Sequence, residues 1–127
     1  MVTFFISQTI KRQAPSYPYQ AIKEIILGEK YELSLTFIGK TRARSLSLTY
    51  KNKDYFPNVL SFPLTDNHGE IFICPEIADR EAADYHLSKS GYIAFLFIHG
   101  CLHLKGYDHS GAMEKLEQKY LRKFAIT

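Results

Sequence analysis

The chain of 127 residues contains only two cysteines, Cys74 and Cys101. They are too far apart to form the close pairs that hold metals, and a chain of this length can bury a core without disulfide staples, so no disulfide framework is expected. No apolar run reaches the roughly 18 residues needed to cross a membrane. The opening "MVTFFISQTI" has an apolar stretch of only about five residues, too short for a secretory leader. Internal repeats, low-complexity tracts and linkers are also lacking. With 46% hydrophobic and 23% charged residues the balance is ordinary, and one soluble, cytoplasmic domain spanning residues 1–127 with reduced thiols is expected.

The net charge of +3 is mild and does not by itself specify a nucleic-acid partner. Its distribution is more informative. Between Gly39 and Lys53 there is no acidic residue, but there are the cations Lys40, Arg42, Arg44, Lys51 and Lys53. Such a stretch attracts phosphate, although it also suits a solvated helix face.

Hydrophobic periodicity predicts an α+β domain with a small mixed sheet of about four strands. "VTFFIS", "YELSLTFIG", "NVLSFPL" and "EIFIC" read as strands; Leu33, Leu35 and Phe37 share a face, Pro63 closes the third strand and "DNHG" makes a turn. Tyr19–Leu27 reads as a helix with Ile22, Ile25 and Ile26 inward. A basic helix covers residues 41–50, a polar helix runs from Pro75 to Lys89, and the last helix presents Met113, Leu116, Leu121 and Phe124. The segment "GYIAFLFIHGCLHLKG" is apolar almost all round, as expected of a buried central helix ended by Gly106.

Three of the five histidines lie in "HGCLHLKGYDH", residues 99–109. His99 and His103 are four apart and share a helix face. Gly106 then lets the chain double back, bringing His109 toward them. His-x-x-x-His-x-x-Gly-x-x-His matches the histidine and glycine positions of the long metzincin motif, in which three imidazoles hold one zinc and leave a fourth position open. A hydrogen-bonded histidine cluster is the plainer alternative. Zinc proteases of that class carry glutamate directly after the first histidine; Gly100 stands there, which argues against a peptidase. A glycine in mid-helix also asks for a reason, either close approach of a substrate or backbone, or tight packing on the sheet. Cys101 lies about 200° around the helix from His99 and reads as core. His68 and His86, in a polar turn and a polar helix, are set aside. Asp108 either orients an imidazole or caps the turn.

With these residues in view, the sequence resembles the YbeY endoribonuclease family of bacterial RNA-maturation metalloproteins. "HGCLHLKGYDH" fits the family signature, "LSLTYKNKDYFPNVLSFP" its upstream block, and "HGEIFIC" the strand that usually begins Gly-Asp-Ile; together they span roughly residues 30–124. The resemblance implies zinc, one per chain, on His99, His103 and His109, and metal-assisted endonucleolytic cleavage of RNA, single strands preferred. It also implies roles in ribosomal RNA processing and ribosome quality control, with the ribosome or its assembly proteins as partners. Lys51 stands where the family has a functional arginine and joins the histidines in the catalytic set. Lys40, Arg42, Arg44 and Lys53 would hold the RNA backbone, and Tyr55 or Phe56 would stack on bases unless they pack in the core. Further departures are Ser47 for asparagine, Phe56-Pro57 for Pro-Thr, and Glu70 for aspartate. Two rival readings are a non-catalytic ribosome-assembly or RNA-binding factor with structural zinc, and a zinc hydrolase of another substrate.

Overall fold

The computed structural model describes residues 2–127. Strand β1 (Phe4–Gln8) is followed by helix α1 (Tyr19–Leu27), β2 (Glu32–Phe37), α2 (Lys40–Lys51), β3 (Val59–Thr65), β4 (His68–Ile73), α3 (Pro75–Glu81), a 3-10 turn (Ala82–Tyr85), α4 (Lys89–Lys105) and α5 (Gly111–Lys123). The strands form one mixed sheet in the order β1-β2-β4-β3. β1, β2 and β4 are parallel, and β3 runs antiparallel to β4. Parallel neighbours need crossover connections, supplied by α1 between β1 and β2 and by α2 with β3 between β2 and β4. The α+β architecture is the one that the alternating and helical periodicities imply.

The sheet and helices meet through the alternation in the strands. Leu33, Leu35 and Phe37 of β2 and Ile71 and Ile73 of β4 are all buried. They pack with Tyr19, Ile22 and Ile26 of α1 and the apolar body of α4. Every residue from Gly91 to Ile98 of α4 is buried, so between its exposed first residues, Lys89 and Ser90, and its last two turns this helix has no solvent face. A smaller group of Ile38, Ala43, Cys74 and Ile77 anchors α2. Among the described residues, no helix is long and apolar enough to cross a membrane.

Several local expectations give way. Ile25 is exposed, and Lys23 takes the inward position beside Ile22 and Ile26. A buried ammonium must be satisfied; Lys23 donates to Thr3 Oγ1 at 3.1 Å and to the Glu29 carbonyl at 2.9 Å, and burial lowers its pKa. Pro63 does not close β3, which continues to Thr65 through an irregularity in register. β3 is an edge strand, where a proline without N–H is tolerated. His68 begins β4, leaving the turn to Asp66 and Asn67. The expected polar helix from Pro75 to Lys89 is broken: His86 adopts a left-handed conformation at φ 57°, and Ser88 caps a new helix by accepting from the Gly91 N–H at 3.0 Å.

Gly100 faces β4. A Cβ there would lie 3.0 Å from Cδ1 of Ile71, itself fully buried. This contact with the sheet disfavours a bulky residue at position 100. Gly100→Val is expected to overpack the interface and destabilise the fold by about 1–3 kcal/mol, measured as a shift of the denaturant midpoint with unchanged slope.

A candidate metal centre

The end of α4 turns the chain back on itself. Gly106, at φ 112°, caps the helix. Its N–H donates to the His103 carbonyl at 3.0 Å, and the Tyr107 N–H donates to the Leu102 carbonyl, also at 3.0 Å. This is the Schellman pattern, and it needs a left-handed residue that glycine adopts without strain. Ser110 then accepts from the Met113 N–H at 3.4 Å and starts α5. His109, one residue before that cap, is thereby held over the last turns of α4.

One ligand atom from each of His99, His103 and His109 lies within 4.8 Å of the others. His99 and His103 are partly buried and His109 is exposed, so the cluster opens to solvent on one side. His103 Nδ1 lies 2.9 Å from the Tyr107 carbonyl oxygen. A carbonyl only accepts, so this nitrogen carries the proton. His99 Nδ1 lies 2.7 Å from Glu117 Oε2, and a carboxylate likewise makes it the donor. In neutral imidazoles both Nε2 atoms are then bare acceptors, and they face each other at 3.0 Å. Two opposed lone pairs at that distance call for a cation or a proton between them. The pKa of His103 is lowered, chiefly by burial, against an upward pull from the hydrogen bond to the Tyr107 carbonyl and with smaller lowering contributions from His99, His109 and Lys51; this disfavours the proton. Three neutral nitrogen donors are the set that a divalent transition metal takes, and tetrahedral zinc bonds of about 2.0–2.1 Å would place such nitrogens roughly 3.3 Å apart. The residues fit the metal.

Glu117 was not anticipated from the sequence, which suggests Asp108 for the carboxylate beside an imidazole. Asp108 is exposed and has no hydrogen bond to a histidine among the described residues. Glu117 is only 7% exposed, and it occupies the buried stripe of α5 between Met113 and Leu121. An acid at spacing i, i+4, i+8 within an apolar stripe was the available signal. Glu117→Ala is expected to weaken zinc retention by about 10- to 100-fold, with Glu117→Gln restoring part of it through its side-chain carbonyl; competition against a zinc chelator measures both.

A cavity of about 270 Å³ adjoins the histidines, lined also by Lys51, Lys53, Tyr55 and Ser61. The Lys51 ammonium lies 5.7 Å from the centre of the Phe62 ring. The other basic residues are elsewhere on α2. Lys40 pairs with Glu76 at 3.6 Å and Arg44 with Asp54 at 2.5 Å, and both flank the half-exposed Phe56 ring at 5.8 and 5.7 Å. Arg42 is exposed and has no ion pair among the described residues. The structure thus gathers two of the five cations at the histidines and leaves three outside the cavity. Cys101 is wholly buried in the core.

The fold resembles the solution structure of a Thermotoga maritima protein, with a TM-score of 0.66 at 23% identity over 95% of this chain and 88% of that one. Among curated sequences, the endoribonuclease YbeY of Pseudomonas putida is 41% identical over 103 residues, which are 71% of this chain and 66% of the relative. That of Finegoldia magna is 34% identical over 105 residues, 77% of this chain and 69% of the relative. The chain thus spans slightly less than two thirds of the length of the Pseudomonas protein. The family model described as endoribonuclease YbeY matches residues 4–125, reaching further toward the N-terminus than the motifs at residues 30–124. With the match running from β1 to the end of α5, across the three clustered histidines, the chain belongs to the endoribonuclease YbeY family.

Proposed function

We propose that this protein is a zinc-dependent endoribonuclease of the cytoplasm that cleaves RNA phosphodiesters, prefers single strands, and acts in ribosomal RNA processing and ribosome quality control in contact with ribosomal assembly proteins. The observation that carries the chemistry is the pair of imidazole Nε2 atoms facing each other at 3.0 Å, opening on a cavity with two lysines. His99, His103 and His109 would hold one zinc per chain, with Glu117 and the Tyr107 carbonyl fixing the tautomers of two of them. Zinc, when bound there, would supply Lewis acidity toward a phosphoryl oxygen and lower the pKa of a water to about 7. Lys51 and Lys53 would neutralise the phosphate in the cavity and stabilise charge as it builds on the non-bridging oxygens. Tyr55, half-exposed at the cavity wall, would stack on an unpaired base, the mode by which single-stranded RNA is distinguished. Lys40, Arg42 and Arg44 would guide the backbone from the outer face of α2.

The test compares zinc-loaded with chelator-treated protein on single-stranded and structured RNA of equal length. Cleavage restricted to the loaded form and faster on single strands supports the reading. A second reading, an RNA-binding assembly factor with structural zinc, is favoured by the absence of any carboxylate among the described residues lining the lysine cavity. It expects RNA binding without cleavage in either form.

The arrangement of the cations also has a measurable consequence. Removing Arg42 is expected to flatten the dependence of RNA affinity on salt by about one counterion, and removing Arg44 by less, because Asp54 already neutralises it. Anisotropy titrations of a labelled oligonucleotide across a salt series give both slopes.

A further inference from the structure

A second pocket, of about 580 Å³, shares His99, His109, Asn58 and Val59 with the lysine cavity. No lysine or arginine is among the described residues that line it; its charged wall is acidic, with Glu114 and Glu117 of α5 beside Gln118. Another part of the lining is aromatic. Tyr85, 52% exposed, lies 4.8 Å from the Tyr92 ring and 5.6 Å from the Phe95 ring, at interplanar angles of 33° and 38°. Phe95 continues to His99 at 6.2 Å and His99 to His109 at 5.1 Å, so rings run from the pocket wall to the histidine cluster.

The two pockets on the histidines therefore differ in kind. The lysine cavity suits an anion. The larger one repels phosphate, offers a ring face for stacking, and presents acceptors. Glu114 is exposed and has no ion pair among the described residues. Asn58 adds another acceptor: its amide nitrogen donates to Glu81 Oε2 at 2.7 Å, the same oxygen that takes the Tyr92 hydroxyl at 2.9 Å. With the nitrogen committed to a carboxylate, the Asn58 side-chain oxygen is the atom left for a ligand. Acceptors around a ring face select a flat heterocycle that carries N–H donors, and the volume is in the range of small-ligand sites.

We propose that this pocket is a nucleobase subsite: it takes the base next to the phosphate lodged in the lysine cavity, stacked on Tyr85, and favours bases that carry an exocyclic amino group, such as adenine or cytosine, over uracil. The assignment rests on the RNA reading above and extends it to sequence preference.

Binding is measured with fluorescein-labelled 2′-O-methyl ten-mers of A, C or U, and cleavage with the matching RNAs, using zinc-loaded protein. The wild type is expected to bind the A and C oligomers about 5-fold more tightly than U. Tyr85→Ala should weaken binding about 10-fold, the scale of losing one stacked base, whereas Tyr85→Phe, which keeps the ring, should not. Glu114→Gln should erase the advantage of A and C over U. Zinc content should be unchanged in all three variants, because none of them alters a histidine or the Glu117 carboxylate that holds His99. Binding and cleavage indifferent to Tyr85→Ala and Glu114→Gln would overturn the subsite and leave the nuclease reading standing. Base-selective binding without cleavage would overturn the nuclease reading and retain the subsite. Absence of oligonucleotide binding would overturn both.

Discussion

His103→Ala is expected to yield a folded chain that retains no zinc after loading and dialysis and cleaves RNA no faster than a protein-free control. The fold should survive because His103 lies in the last turn of α4, partly buried, with side-chain hydrogen bonds, among the described residues, only to the Tyr107 carbonyl and the His99 ring. The Schellman turn uses backbone groups of Leu102, His103, Gly106 and Tyr107, which alanine preserves. Metal retention should fail because His99 and His109 alone leave two protein nitrogens where three converge, a greater loss than the roughly 10- to 100-fold cost of an outer partner. Removing His103 also removes the facing lone pair that makes the site demand a cation. Elemental analysis, with circular dichroism to verify folding, measures the effect. One zinc per chain in the variant would show that the metal is held elsewhere. The same result for the wild type, a metal-free chain after zinc loading, would reduce the cluster to hydrogen-bonded histidines.

The histidine cluster was legible in the sequence because its geometry is local. Spacing of four residues fixes two side chains on one helix face, and a glycine three residues later ends that helix, so folding at longer range had little left to decide. The same holds for α4, whose continuous apolar character announces a buried helix, and for β2, whose alternation survives as the buried row Leu33, Leu35 and Phe37. What was not legible depends on contacts between distant segments. Lys23 takes a core position because Thr3 and the Glu29 carbonyl satisfy its ammonium, which no periodicity records. Glu117 reads as a surface residue until α5 is laid against α4, where it meets His99 eighteen residues away in sequence. The basic segment looked uniform in sequence, yet Glu76 and Asp54 pair with two of its members, and only Lys51 and Lys53 reach the histidine cavity. Pro63 and the break at His86 mislead for a different reason. Local propensity marks a boundary, but an edge strand tolerates the proline, and a left-handed residue ends a helix without glycine.

Lys51 is the residue from which the second large effect is expected. It is the last residue of α2, which Asn52 ends in a left-handed conformation at φ 54°. It is exposed, and it lines the cavity shared with all three histidines. Its substitution should therefore change stability by less than about 0.5 kcal/mol, as for other surface positions, and a loss of activity can be read as chemistry. Lys51→Ala is expected to lower RNA cleavage by roughly 10²-fold, the scale for removing one donor that stabilises a developing oxyanion. Zinc content should stay at the wild-type level. Lys51→Arg should retain or raise the rate, because a planar guanidinium can bind two phosphate oxygens at once whereas an ammonium acts as a point charge. Single-turnover cleavage measured beside zinc content separates these outcomes. Metal-dependent cleavage that is indifferent to both substitutions would remove Lys51 from the mechanism. A wild type without cleavage beside an active Lys51→Arg would identify the lysine as the reason this chain binds RNA without cutting it.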